Sequence, residues 1–292
     1  MGQWKNRQKI ENNMVEPSIT VVIPLYNKAA TIRSTIQTVL AQNYDNYEII
    51  VVDDGSTDGG GEIVASAANH RLQYYRIGNS GPSAARNFGI GKARNDWILF
   101  LDADDFLLPG SLTLFGTAVS NYPEADVFVA NYFVEKGGER QLFSSRYASG
   151  KIQDCFKEWF LKRLEPCAGT VMFRKKVFQK YQYKQNLRRY EDVDLMFRVF
   201  NDCKVVRLKQ PTMVYRQDFS AASKATTQSF ENDYLGHLES PKGSFWRRAS
   251  MYQMLLEAEY TYGDRASVYS KERSNLINRL IYSIATRIRR VV

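Results

Sequence analysis

The chain has 292 residues, 44% hydrophobic and 24% charged, which excludes a disulfide-held mini-protein, a collagen, a coiled coil or disorder as a description of the whole. Forty Lys and Arg against thirty-one Asp and Glu leave a formal charge of +9, which favours anionic partners without choosing among nucleotides, nucleic acids and acidic lipids. Three scattered cysteines (Cys155, Cys167, Cys203) and two histidines exclude a disulfide frame and a Cys/His metal centre, and lead us to expect a reducing, cytoplasmic setting.

Residues 1–17 are polar, lack the apolar core of a signal peptide and read as a flexible lead. The longest apolar run of the first half covers only Trp97 to Leu101, far short of a bilayer span. From Ser18 onward, β-branched runs alternate with helical periods. Strands are expected over 19–23, 48–52, 72–77, 97–101 and 125–130, and helices over 29–42, 62–68, 82–94 and 111–121. Ile32, Ile36, Val39 and Leu40 give the first helix its apolar face; Pro82 suits a first turn, where no intrahelical N–H is needed. Apolar strands separated by helices predict an α/β fold, with a mostly parallel sheet covered by helices on both faces. Residues 132–215 are less regular, with helices over 152–164 and 192–201 and strands over 170–173, 205–208 and 213–215. From residue 219 the chain is polar and then helical, a C-terminal extension over 219–292.

Ligands of open α/β sheets sit beyond the carboxyl ends of the strands. The first strand is followed there by Pro24, Leu25, Tyr26 and Asn27, the second by Asp53 to Asp58, and the fourth by Asp102, Ala103, Asp104 and Asp105. Two acidic clusters are thereby expected at one edge. Carboxylates delivered together by an apolar strand repel one another, and a divalent cation relieves that cost. Oxygen-only ligands suit Mg²⁺ or Mn²⁺. The alternative for Asp102–Asp105 is a plain turn, and for the first cluster a helix cap, which suits Asp58 better than Asp53. A dinucleotide fingerprint is excluded, because Val64 stands where the last glycine after Gly59 and Gly61 should be. Asp53 is suited to accept from a base N–H or a ribose hydroxyl.

The strings Thr20-Val-Val-Ile-Pro-Leu-Tyr-Asn27, Ile49-Ile-Val-Val-Asp-Asp-Gly-Ser-Thr-Asp58, Gly81-Pro-Ser-Ala-Ala-Arg-Asn-Phe-Gly-Ile90 and Phe100-Leu-Asp-Ala-Asp-Asp105 together resemble family 2 glycosyltransferases of the GT-A fold, in register over about residues 18–109. The resemblance implies a catalytic domain over 18–218, with a nucleotide-sugar-binding half at 18–109 and an acceptor-binding half at 110–218. It implies that Pro24, Tyr26, Asn27, Asp53 and Asp54 hold the nucleotide of a sugar donor, UDP-linked above all, and that Ser83, Arg86 and Asn87 border the donor pocket. For Arg86 a buried pairing with one of the aspartates is the equal alternative. Asp102, Ala103 and Asp104 match the Asp-x-Asp element that binds ribose and a Mn²⁺ or Mg²⁺ ion. Relatives often carry Tyr-Arg-x-His after the last strand; here the run is Tyr215-Arg216-Gln217-Asp218, which leaves Asp218 as the candidate third metal ligand.

In Tyr190-Glu191-Asp192-Val193-Asp194, the resemblance makes Asp192 the general base of an inverting transfer to a hydroxyl of a glycan or lipid-linked acceptor. The other reading is that both acids decorate a helix N-terminus. Seven cations without an acid between them (Arg174, Lys175, Lys176, Lys180, Lys184, Arg188, Arg189) read either as a solvated face or as a landing zone for an anionic acceptor. Leu276, Ile277, Leu280, Ile281, Ile284, Ile288 and Val291 follow helical spacing beside Arg279, Arg287, Arg289 and Arg290. That amphipathic basic helix over 276–291 is suited to a peripheral membrane surface or to a neighbour, another subunit of a homodimer included. A nucleotidyltransferase would want a glycine-rich basic loop after the first strand, where only Lys28 stands. A nucleic-acid reader would line its groove with cations, whereas these strand mouths are acidic, so no nucleic-acid partner is expected.

Overall fold

Alternate residues of the central strands point to opposite faces of a sheet, and the computed structural model, which describes residues 16–144, 146, 148–219 and 229–291, shows each set filling its own core. In chain order the elements are β1 (Ile19–Leu25), α1 (Ala29–Leu40), β2 (Tyr47–Asp53), α2 (Gly60–Ala65), β3 (Leu72–Arg76), α3 (Pro82–Lys92), β4 (Trp97–Phe100), β5 (Phe106–Leu107), α4 (Ser111–Asn121), β6 (Val127–Lys136), β7 (Glu139–Leu142), β8 (Gly150–Lys151), α5 (Cys155–Phe160), β9 (Val171–Arg174), α6 (Glu191–Val199), β10 (Val205–Arg216), α7 (Phe245–Tyr262), α8 (Ser270–Ser274) and α9 (Leu276–Val291). Residues 1–15 of the expected lead and 220–228 lie outside the described residues.

One sheet runs β3-β2-β1-β4-β9-β6-β10-β5. The first four strands are parallel, as the apolar runs predict. β9 departs from the pattern: it lies antiparallel to both β4 and β6 and needs no crossover helix, so a loop over 161–170 suffices to bring it in. β6 and β10 are parallel again. The two short strands expected at 205–208 and 213–215 are one strand, because Pro211, which has no N–H to give the ladder, is taken up by register shifts on either side of it.

Val22, Ile50, Val52, Ile98 and Phe100 share a core with Ala85 and Ile90 of α3, Leu195 and Phe197 of α6, and Met251, Met254, Leu255 and Ala258 of α7. Val21, Ile23, Ile49, Val51 and Leu99 pack instead on Ile32, Ile36 and Val39 of α1 and Leu112 and Phe115 of α4. Helices therefore cover both faces, and α7 of the C-terminal extension is part of the main core. α9 seats Tyr282 and Ala285 near Phe160 and Trp246. Its Leu276, Ile277, Leu280 and Ile284 are exposed, and the side chain of Val291 lies outside the described residues. Among the described residues no helix is long and apolar enough to cross a membrane.

Candidate active site

β1 lies between β2 and β4, so the loops after Asp53 and Phe100 leave the same carboxyl edge on either side of it, about two strand spacings or ~10 Å apart. The loop after β2 is tied down by its own acids. Asp53, fully buried, accepts from the Ser56 N–H at 2.8 Å and the Tyr74 hydroxyl at 2.8 Å, with Arg76 at 3.5 Å. A methyl group on Gly61 would stand 2.5 Å from both Asp53 Oδ2 and the Tyr74 hydroxyl, which is why α2 begins on glycines. Asp54 accepts from the Ser80 and Gly81 N–H groups, both at 2.7 Å. Both its oxygens thus hold the start of α3. Asn27, in the left-handed region at φ 50°, donates its N–H to Ser56 Oγ and accepts from the Thr57 N–H, lacing β1 to the same loop. Pro24 is half-buried in β1 opposite Val52. Tyr26 stands 46% exposed, its hydroxyl accepting from Asn79, and is free to meet a flat ligand.

The loop after β4 is built differently. Lys28 Nζ donates to Asp104 Oδ2 at 2.5 Å and to the Phe219 carbonyl at 2.7 Å. Arg86, buried in α3, donates to Asp102 Oδ1 at 3.0 Å and to Glu191 Oε1 at 2.7 Å, and its guanidinium lies 5.3 Å over Tyr183. Arg86 is thus the paired arginine that the sequence left as one of two readings. Burial and the neighbouring Asp102 push the Asp104 carboxyl up, with Lys28 opposing them. Burial, Asp102 and Asp104 push Asp105 well up, while it accepts from the Arg216 N–H at 3.0 Å. The Arg216 guanidinium is sandwiched 4.1 Å from Phe106 and 4.0 Å from Phe219. The Ala103 carbonyl accepts from the Thr31 and Thr35 hydroxyls, so Ala103 fixes the loop to α1 and has no carbonyl to spare for a nucleotide.

Asp192 is the second residue of α6, directly after the Glu191 that Arg86 joins to Asp102. Tyr190 caps the helix at φ 56°, a left-handed conformation uncommon for a bulky residue and a recurrent mark of constrained sites. Asp192 Oδ1 accepts from the Val193 N–H at 2.8 Å. Burial first, then the Glu191 charge, raise its carboxyl to about 7, with Arg86 opposing. A carboxylate poised near neutrality is suited to taking a proton.

Some expected members are not brought in. Asp218 gives its carboxylate to the Gly137 N–H at 2.8 Å, and no group of three His, Cys, Asp or Glu side chains arranged for a metal exists among the described residues. The three-ligand set with Asp218 is therefore not met. Asp102 and Asp104 still fit a hard divalent cation: they offer only oxygens, and their crowding makes positive charge welcome. Asn87 exchanges two hydrogen bonds with the main chain of Tyr183 and so ties α3 to the segment before α6. Ser83 is buried, its hydroxyl without a partner among the described residues.

Most of the basic run is paired, while Lys176, Lys180, Lys184 and Arg188 stay exposed to solvent. Lys176, Lys180, Lys184 and Arg189 pair with Asp126, Asp202, Asp194 and Asp233; Arg174 and Lys175 donate to main-chain carbonyls. Arg188 remains, lying over Gly81 so closely that a Cβ there would fall 1.6 Å from its Nη1. Two contributors escaped the motif reading. Lys28 entered it only as a lone cation speaking against a phosphate loop, and Glu191 only as a neighbour of Asp192; the signal available was their adjacency to the motifs.

Comparison with known proteins places this geometry. The family described as "Glycosyl transferase family 2" matches residues 20–182. Glycosyltransferase GlyA of Streptococcus pneumoniae is 37% identical over 122 residues, 41% of this chain and 17% of that protein. The succinoglycan biosynthesis protein ExoO of Rhizobium meliloti is 42% identical over 97 residues, 33% of this chain and 28% of that protein. The chain thus matches under a third of the length of either relative. Among solved structures, S. aureus TarS 1–349 in complex with UDP-GlcNAc superposes with a TM-score of 0.69 at 17% identity, over 92% of this chain and 79% of that one. That likeness shows the fold, the GT-A architecture expected from the motifs. With more than half of its residues matched by the family, the chain belongs to glycosyl transferase family 2.

Proposed function

We propose that the protein moves one sugar from a nucleotide-diphosphate donor, a UDP-sugar foremost, to a hydroxyl of a glycan or glycolipid in the building of a cell-surface polysaccharide. The observation that carries this reading is the Arg86 bridge, which ties Asp102 to Glu191 and so sets Asp192 beside the Asp-x-Asp motif. Two of these similar proteins, S. aureus TarS, solved in complex with UDP-GlcNAc, and the succinoglycan biosynthesis protein ExoO, support the choice of donor and of product class.

In this mechanism Asp192 accepts the proton of the acceptor hydroxyl as that oxygen attacks the anomeric carbon. The carbon–oxygen bond to the diphosphate breaks on the opposite face, its electron pair leaves with the diphosphate, and the configuration inverts. Tyr26 meets the base end, and Asp53, buried beneath it, keeps the loop after β2 in shape. Asp102 and Asp104 would hold a Mn²⁺ or Mg²⁺ ion, whose chemistry is to offset the charge of the departing diphosphate. Arg86 keeps Asp102 and Glu191 at fixed positions, so donor and base keep one geometry.

The test is a panel of UDP-, GDP- and dTDP-sugars, read first by thermal shift with Mn²⁺ and then by nucleotide release with saccharide acceptors. A ligand that prefers the native state raises the melting midpoint by mass action. A shift confined to UDP-sugars, with acceptor-stimulated release of UDP, is expected. Binding of nucleotide with no turnover of any donor would make the protein a binding module instead.

A further inference from the structure

The apolar stripe of α9 faces the wrong way for a core helix. The helix packs on the body through Tyr282 and Ala285, and Asn278 accepts from Arg248. Successive residues turn by about 100°, which puts Leu276, Leu280 and Ile284 on the opposite side, 77%, 62% and 41% exposed. An isolated exposed leucine needs no explanation, but a continuous stripe on one helix does. The same helix carries four arginines and no acid. Arg279 and Arg290 are exposed along one margin of the stripe and Arg287 is exposed beside Leu280 within it, and none of the four pairs with a carboxylate among the described residues. At the far end, Arg289 lines a cleft of about 540 Å³ with Arg146 and Lys162, beside the polar Gln141 and Ser144. Lys162 also pairs with Glu165 at 3.5 Å. Lys162 itself is held at φ 57°, a conformation that the surrounding fold must impose.

We propose that α9 and this cleft form one docking surface for an anionic lipid bilayer, with the stripe immersed at the level of the acyl boundary, the marginal arginines on the lipid phosphates, and the cleft seating one headgroup phosphate. Charge decides the occupant. A second copy of this +9 chain would bring four more arginines against the first four, whereas an anionic membrane answers them. The pattern of a strong apolar stripe beside a cationic margin is the one that lies in a membrane surface without crossing it. From the cleft, the loop after Lys162 runs to Gly169, whose N–H bonds to the Phe100 carbonyl immediately before the Asp102 motif. A docked surface would therefore lie one loop away from the candidate active site.

The inference is independent of the donor chemistry, and its readout is separate from turnover. The full chain is sedimented with vesicles of equimolar phosphatidylglycerol and phosphatidylcholine, and with vesicles of phosphatidylcholine alone. Tight binding to the first, weak binding to the second, and loss with added salt are expected. L280Q/I284Q, which alters only exposed side chains, should weaken binding at least about tenfold. R146Q/R289Q should weaken binding to the phosphatidylglycerol vesicles roughly fivefold per arginine removed and narrow their preference over phosphatidylcholine by the same factor. Circular dichroism melts of both variants should match the parent, as should turnover of a soluble acceptor. Equal sedimentation of parent and L280Q/I284Q with anionic vesicles would overturn the proposal. So would sedimentation velocity showing a dimer that L280Q/I284Q splits while vesicle binding persists; the stripe would then belong to a second copy.

Discussion

The two acidic clusters at the sheet edge differ in what answers their charge. Asp53 and Asp54 take main-chain N–H groups of Ser56, Ser80 and Gly81 and the Tyr74 hydroxyl, donors that the fold supplies permanently. Asp102, Asp104, Asp105 and Asp192 face mainly one another, with Lys28, Arg86 and the Arg216 N–H set against them, and the carboxyls of Asp104, Asp105 and Asp192 are all pushed up. The first arrangement closes a loop. The second keeps an electrostatic conflict in place, which a fold retains where a ligand is to resolve it. The same residue type after two adjacent strands thus serves construction in one place and chemistry in the other.

The largest effect tests the chemistry of the second cluster. Asp192→Asn should lower transfer by roughly 10²–10⁴-fold, the usual worth of a general base, with donor affinity nearly unchanged in calorimetry. In the parent, transfer should rise with pH through about 7 as Asp192 loses its proton, and the variant should lack that limb. Stability carries the opposite sign. Between about pH 4 and 7 the native state holds a proton that the unfolded state has released, so this group makes stability fall as pH rises through that window. Denaturant midpoints at pH 5 and pH 8 should differ less in Asp192→Asn than in the parent.

Next in size is Arg86→Met. It strands Glu191 in a buried position and Asp102 beside it, and breaking such a pair costs about 3–5 kcal/mol. The partial exposure of Asp102 places the expected loss at the low end. An unchanged melting midpoint would show that the bridge does not hold the two motifs together. Lys28→Met should have a smaller and opposite effect on metal binding. Removing the ammonium that occupies Asp104 should raise Mn²⁺ affinity of the donor-free protein roughly threefold to tenfold, read by electron paramagnetic resonance. Weaker Mn²⁺ binding would make Lys28 a support of the site rather than a competitor. Smallest of all, Asp218→Ala should leave Mn²⁺ affinity within about twofold, because Asp218 serves the Gly137 turn.

What could be read from the sequence follows the same division. The central strands and the helices over them were legible because each is decided by local periodicity, and the order of the strand-end motifs placed both clusters on one edge. β9 was legible as a strand but not its antiparallel direction, since an apolar run has no directional signature and its partners β4 and β6 are far away in sequence. The main-chain partners of Asp54 and Asn87 were not legible, because a carboxylate or an amide that ties a loop has the same one-letter code as one that faces a ligand. The basic run 174–189 looked unpaired for a similar reason: its carboxylates, Asp126, Asp202 and Asp233 among them, lie elsewhere in the chain or on another helix. For α9 the pattern showed the stripe, but only the packing of Tyr282 and Ala285 shows which side it faces.

The central claim is that the carboxylates after β4, and not those after β2, receive the cation and the diphosphate. Calorimetric titration of UDP into the parent and into Asp104→Asn, with Mn²⁺ and with a chelator, tests it most directly. Binding that needs Mn²⁺ in the parent and is lost in Asp104→Asn is the predicted result; binding indifferent to both the ion and the substitution would contradict it.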